Sequence, residues 1–294
     1  MKPISLAFAL VGAFGAASVH GAILVNETFA DGNRTGDSPP SSLEWIYGAH
    51  RSSEAFTSLS VGSNQMAWDH TASAGVNSFS AVWGHFAPSG SPVSVAQGET
   101  LRLSFTVAFS NGAFVTTTGG FRWSLLNSGG SRVAADFAGV NESGIASGTT
   151  LSGWRGYEGQ VVVHDTGVNT SGLLTRERTG SGNGLFTSSN WAGLSGSSTS
   201  NPTTTLGSSI VATLELTRTA GGMQIQAGYD GVLSNLVTDS TSAFTSFDTI
   251  SFFTLDGLTH DITLSNIQLE LIPEPSVLLL GLAGFMPVTF RRRR

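Results

Sequence analysis

The sequence predicts an all-β body, an antiparallel β-sandwich or jelly roll, with an N-terminal signal helix before it and a short C-terminal hydrophobic helix after it. Three observations point there. Apolar and polar residues alternate with a period of two over several stretches, clusters of Gly, Ser and Asn punctuate them, and no stretch between the ends sustains a helical period. Composition agrees: 37 glycines and only 12% charged residues leave Ser, Thr, Asn and Gly to furnish the polar exterior, while Val, Ile, Phe and Thr favour strands.

The clearest strand runs from Thr100 to Phe109, where Leu101, Leu103, Phe105, Val107 and Phe109 alternate with polar or small residues. One face is apolar and the other polar, as in an antiparallel sheet with one side on a core. Ile210, Ala212, Leu214 and Leu216 repeat the alternation, and Met223, Ile225 and Ala227 resume it after Gly221-Gly222, which reads as a hairpin. Further strands are expected at Ile23–Phe29, Phe121–Leu126, Gln160–His164, Ser251–Leu255 and Ile262–Leu271. In the last, Leu264 and Ile267 are three apart, which predicts a bulge near Asn266. The Ser- and Thr-rich run from Ser188 to Ser209 reads as a long loop inside one domain, because the same patterning resumes after it.

Lys2 and the apolar run from Ile4 to Ala17 have the form of a secretory signal peptide. Val19 and Gly21 suit the small-residue pockets of signal peptidase, which places the cut before Ala22. At the other end, Pro273-Glu274-Pro275 precedes an apolar stretch from Val277 to Phe290, closed by Arg291, Arg292, Arg293 and Arg294. About 14 apolar residues make a short anchor, and the arginines are the pattern that holds a C-terminus on the cytoplasmic side. The two prolines keep Glu274 extended, a conformation a protease cleft can accept. The expected division is therefore 1–21, signal peptide; 22–271, one sandwich of about 250 residues; and 272–294, sorting segment.

That motif, apolar segment and Arg cluster together resemble the PEP-CTERM sorting signal of proteins exported by Gram-negative and related bacteria. The resemblance implies transient membrane insertion, processing by an exosortase near Pro273-Glu274-Pro275, and delivery to the envelope, surface or extracellular matrix. The apolar segment departs from the pattern in being short and interrupted by Pro287. In layout, a leading strand ending in Glu27-Thr28-Phe29 and a closing strand just before the sorting motif, the body is similar to concanavalin A-like, laminin-G-type modules.

Charge and composition exclude several classes. Setting aside Lys2, Glu274 and the four terminal arginines leaves about 9 basic and 19 acidic groups, so the body carries roughly −10 and should avoid nucleic acid. With no cysteine, disulfides, thiolate metal sites and cysteine nucleophiles are ruled out. Glu215 and Glu270 sit among apolar neighbours and are expected to face solvent, without the closely spaced carboxylates of a glycosidase. The body histidines, His50, His70, His85, His164 and His260, show no pairing of the kind that builds zinc sites. His164-Asp165 reads as a strand end rather than a triad fragment. Asp230-Gly231, Asp256-Gly257 and Asp261 could supply oxygen ligands to Ca²⁺, although Asp-Gly is first a turn dipeptide, and no cofactor is required.

The aromatic residues carry the sharpest binding expectation. In Gly153-Trp154-Arg155-Gly156-Tyr157, Trp154 and Tyr157 stand in a Gly-rich polar context that suits an exposed platform for a sugar ring. The reading is an exported, non-enzymatic β-sandwich of the envelope or exopolysaccharide matrix with a glycan-binding surface. Its alternatives are a carbohydrate-active hydrolase or lyase on the same scaffold and a purely structural matrix protein.

Overall fold

The structure, a computed structural model, describes residues 21–35, 38–49, 58–62, 64–69, 80–110, 120–136, 151–163, 172–180, 190–199, 202, 204–254 and 261–274. The signal helix and the C-terminal apolar helix expected from the sequence, with Pro275 and Arg291–Arg294, lie outside them. No α-helix occurs among the described residues, and none of their helices is long and apolar enough to cross a membrane.

In chain order the first strands are β1 (Ala22–Glu27), β2 (Trp45–Ala49), β3 (Ser58–Gly62), β4 (Gln65–Asp69), β5 (Ser80–His85) and β6 (Val93–Ser94). Then come β7 (Thr100–Ser110), β8 (Gly120–Asn127), β9 (Arg155–Val162), β10 (Leu174–Arg178), β11 (Trp191–Gly193) and β12 (Ile210–Thr219). The last six are β13 (Gly222–Tyr229), β14 (Val232–Leu233), β15 (Val237–Asp239), β16 (Ser246–Phe247), β17 (Thr249–Thr254) and β18 (Asp261–Ile272). A nine-stranded sheet runs β14-β13-β12-β7-β18-β4-β3, with β1 on β18 and β15 on β13; a seven-stranded sheet runs β11-β10-β9-β8-β17-β5-β2; β6 and β16 pair separately. The pairings within them are antiparallel, so the expected sandwich is the observed fold.

The nine-stranded sheet follows the alternation read from the sequence. Leu101, Leu103, Phe105, Val107 and Phe109 are buried to 1% or less, while Arg102 points outward and pairs with Glu215 at 2.8 Å. Glu215 thus faces solvent as expected, but with a cross-strand partner. The hairpin of β12 and β13 forms, turning at Ala220-Gly221, one residue earlier than expected. The bulge in β18 also forms, with a register shift between Ser265 and Gln268 and Asn266 at φ 50°. Its position has a cause: before the bulge the second edge of β18 pairs with β4, after it with β1.

The seven-stranded sheet differs in being buried on both faces. Its inner face meets the nine-stranded sheet through Trp45, Val82, Phe121, Trp123, Tyr157, Ile250 and Phe252, with Phe105 reaching across to stack edge-on to Phe252 at 4.7 Å. Trp123 lies over Gly159, where any side chain would collide with the indole at 2.6 Å. Its outer face carries a second apolar cluster of Ile46, Ala81, Trp83, Leu126, Val133, Leu151, Trp154, Trp191 and Phe253.

Glu27 ties the two sheets together. At the end of β1 its carboxylate accepts hydrogen bonds from Phe29 N (2.7 Å), Ser42 Oγ (2.6 Å), Leu43 N (3.1 Å) and Trp45 Nε1 (3.2 Å) and is 1% exposed. Four donors converge on one charge, which satisfies it away from water and fixes the entry to β2. Glu27→Ala strands those buried donors, a loss of at least about 3 kcal/mol, or a fall in Tm of roughly 6–12 °C for a body this size. Calorimetry showing a fall below 2 °C would contradict this role.

Candidate functional site

The loop that follows β8 builds the site. After Asn127 the chain reverses through Gly129 and Gly130, both left-handed (φ 62° and 80°), a conformation glycine takes without steric cost. The segment 128–136 then crosses the outer face of the seven-stranded sheet, held at three points. At its start, Asp248 accepts from Ser128 N (2.8 Å), Ser128 Oγ (2.6 Å) and Thr249 Oγ1 (2.8 Å). In its middle, Trp154 Nε1 donates to Ser131 O at 2.8 Å. At its end, Asp136 forms a two-pronged pair with Arg34 (2.8 and 2.7 Å) and accepts from Tyr47 N of β2 (2.9 Å). Such a loop is pre-organised, so a ligand meeting it costs little ordering entropy.

Between this loop and the β2–β5 edge lies a pocket of about 290 Å³ lined by Glu44, Ile46, His85, Arg132, Val133 and Ala134. That is near the lower end of small-molecule sites, roughly 300–1,000 Å³. Ile46, Val133 and Ala134 give it apolar wall, and Glu44 is exposed. His85 packs edge-on to Trp154 (6.0 Å between centroids); its Nδ1 lies 2.8 Å from Thr249 Oγ1 and its Nε2 3.3 Å from Val133 O. Burial, aided by Arg132, lowers its pKa to about 4, so the ring is neutral near pH 7.

Arg132 is the exception to an otherwise satisfied neighbourhood. Its Nε and Nη2 are buried and make no hydrogen bond. The nearest carboxylate oxygen, Asp248 Oδ2, is 4.0 Å from Nη2, beyond hydrogen-bond range, and already holds Ser128. Desolvation lowers the Arg132 pKa, and Asp248 offsets only part of that.

A second polar group crosses the centre of the same sheet. Arg122 of β8 lies 3.3 Å from Glu158 of β9, and Arg176 of β10 lies 3.7 Å from it. Both Glu158 oxygens, with Arg122 Nε and Nη1, are buried without a hydrogen bond. Arg178 beside them donates to Trp154 O (3.0 Å) and Leu151 O (2.9 Å). Desolvation raises Glu158 to about 7 against the pull of the arginines.

The structure corrects the aromatic-platform expectation. Trp154 and Tyr157 are both fully buried, and they lie in different clusters, on opposite faces of the sheet. Neither presents a ring to solvent, because this sheet buries both faces. Trp154 instead pins the pocket loop, and Tyr157 donates to Asp239 Oδ2 at 2.6 Å between the sheets. Asp230-Gly231 forms the turn between β13 and β14, with φ 51° and 75°, and Asp261 opens β18. His50, His70, His164-Asp165, Asp256-Gly257 and His260 lie outside the described residues. Among the described residues no group of three or more His, Asp or Glu could hold a metal ion.

Pro273 and Glu274 follow β18 directly; Glu274 is exposed, with its side chain against Gly98. Glu44, His85, Arg132 and Asp248 were not singled out as a site from sequence. No local signal marks them, since they come from four separate segments and their loop is anchored by a contact 102 residues apart in the chain.

No family model matches the chain, and no curated protein matches it in sequence. Its fold is similar to that of the carbohydrate recognition domain of Emp46p in a potassium-bound form (11% identity, 78% of this chain and 88% of that one, TM-score 0.48). It is also similar to a protein of unknown function with a galectin-like fold from Bacillus subtilis (9%, 86% and 98%, 0.49). A third is the exoplasmic/lumenal domain of VIP36 in a Ca²⁺-bound form (8%, 85% and 95%, 0.47). At these identities and scores the likeness carries no argument about ligand or activity.

Glu158 and His85 have opposite linkage. Glu158 (4.5 to about 7) adds stability that is present below pH 4.5 and lost as pH rises to 7; His85 (6.5 to about 4) adds stability present above pH 6.5 and lost as pH falls toward 4. In Glu158→Gln the His85 slope is left alone. Urea midpoints of that variant should rise more steeply between pH 4.5 and 6.5 than those of the parent, and equal slopes would contradict the assignment.

Proposed function

We propose that this is an exported protein of the envelope or extracellular matrix that binds glycan without transforming it. In this reading, signal peptidase cuts before Ala22 and an exosortase processes the chain at Pro273-Glu274-Pro275. The observation that carries the binding reading is the pocket beneath segment 128–136. It sets the Arg132 side chain, the Glu44 carboxylate and an apolar wall around one space. A sugar ring has hydroxyls that both donate and accept, and C–H faces that prefer an apolar wall, so it answers all three. Asp248 and His85 are engaged as struts of the loop, which suits a binding role better than proton transfer.

The sorting reading is supported by where the sheet ends. β18 stops at Ile272 and the motif begins at the next residue, while Ala22 pairs with Leu271 at the same edge. Cuts at both expected sites would leave the sandwich whole.

Two measurements test these points. Mass spectrometry of the exported protein should find residues beyond the motif missing, and a tail intact through Arg294 would reject the sorting step. Affinity electrophoresis against a panel of neutral and acidic polysaccharides should show retardation by at least one, with no new reducing ends. Release of reducing ends or unsaturated sugars would instead favour a hydrolase or lyase.

A further inference from the structure

The Pro273-Glu274-Pro275 motif leaves the sheet with no spacer. β18 keeps neighbours to its last residues: on one edge Glu270, Leu271 and Ile272 pair with Arg102, Leu101 and Thr100 of β7, and on the other Glu270 and Leu271 pair with Ile23 and Ala22 of β1. Pro273 is the next residue. Glu274, though exposed, lays its side chain against Gly98, a left-handed residue (φ 88°) at which any side chain would collide with it. The turn that seats it is itself fixed, since Gly98 N donates to Arg218 O (2.8 Å) and Arg218 N donates to Glu99 O (2.9 Å).

A cleft that holds its substrate extended grips the main chain by strand addition. Just before the motif no such main chain is free: Glu270 and Leu271 have strand partners on both edges, and Ile272 has one. Leu271 also packs against the core, so withdrawing it exposes apolar surface. Opening at the end of an element does not require global unfolding. The pairing of β18 with β4, through Ile262, Thr263 and Leu264 beyond the bulge, can stay in place.

We infer that the folded sandwich withholds its own sorting motif, so that the cut waits on the end of β18, residues Glu270 to Ile272, opening away from β1 and β7. This rests on the sorting reading above and adds its regulation: the pairing of the first strand with the last sets the rate of processing.

The test follows loss of the tail through Arg294 by mass in pulse-labelled, exported full-length chains. One variant inserts Gly-Ser-Gly-Ser between Ile272 and Pro273, which gives the cleft unpaired main chain; it should be processed at least tenfold faster than the parent. The other, Ile23→Cys with Glu270→Cys, staples β1 to β18. The chain has no cysteine of its own to compete, and opposite residues of antiparallel strands lie about 4.5–5.5 Å apart, within reach of a disulfide. Ile23 is exposed and Arg102 keeps Glu215, so the body loses little. The staple should slow processing at least tenfold, and dithiothreitol should restore it. The linker variant carries the test if the stapled one does not fold. Parental or slower processing of the linker variant, or parental processing with the staple shown closed by mass, overturns the inference while the sorting step stands. A tail kept through Arg294 in parent and linker variant alike sinks both.

Discussion

The structure depends on one constraint: the seven-stranded sheet has to bury both of its faces. β5, β8 and β17 are apolar or tightly packed on either side, so one layer of cover is not enough. The nine-stranded sheet covers the inner face, and the Glu27 carboxylate holds the two together. Among the described residues, no third sheet lies over the outer face. Its apolar residues are covered by loop, and a loop that covers a core must have its own polar groups satisfied.

That demand explains how segment 128–136 is built. Asp248 between β16 and β17 and Trp154 just before β9 each satisfy part of it, and its own Asp136 ties it to β2. A segment held so firmly can keep a side chain in an unfavourable place, and Arg132 is the side chain so kept. Sites of function are where such local costs are tolerated. The Arg122–Glu158–Arg176 group on the same face is a comparable cost; there Arg122 and Glu158 are enclosed and Arg176 is partly exposed, whereas Arg132 lines a pocket.

How much of this was legible in the sequence follows from the same asymmetry. Strands of the nine-stranded sheet face solvent on one side, so β7, β12, β13 and β18 alternate visibly, and even the bulge at Asn266 shows as a break in spacing. Strands buried on both faces do not alternate. Hence β2 and β5 give no periodic signal, and the sequence starts β9 at Gln160 when it begins at Arg155, because Gly156, Glu158 and Gly159 interrupt the pattern; β8 and β17 are read from their apolar runs instead, and β4, though it alternates, is too short to stand out. The glycine that hides the strand is there for packing, since Trp123 needs the space at Gly159. The same two-sided burial defeated the aromatic platform: a Gly-rich setting around Trp154 and Tyr157 reads as surface, and here it marks close packing. The pocket was beyond local reading, because pairs such as Arg34 with Asp136 exist only once the sheets have formed.

The central claim is that the pocket beneath segment 128–136 is a glycan site supplied by the fold. A crystal structure of the exported protein with an oligosaccharide from a polymer that retards it in affinity electrophoresis tests it most directly. The account predicts a sugar ring against Ile46 and Val133, with its hydroxyls turned to Glu44 and segment 128–136 unmoved. An oligosaccharide bound elsewhere, with this pocket empty, would contradict it.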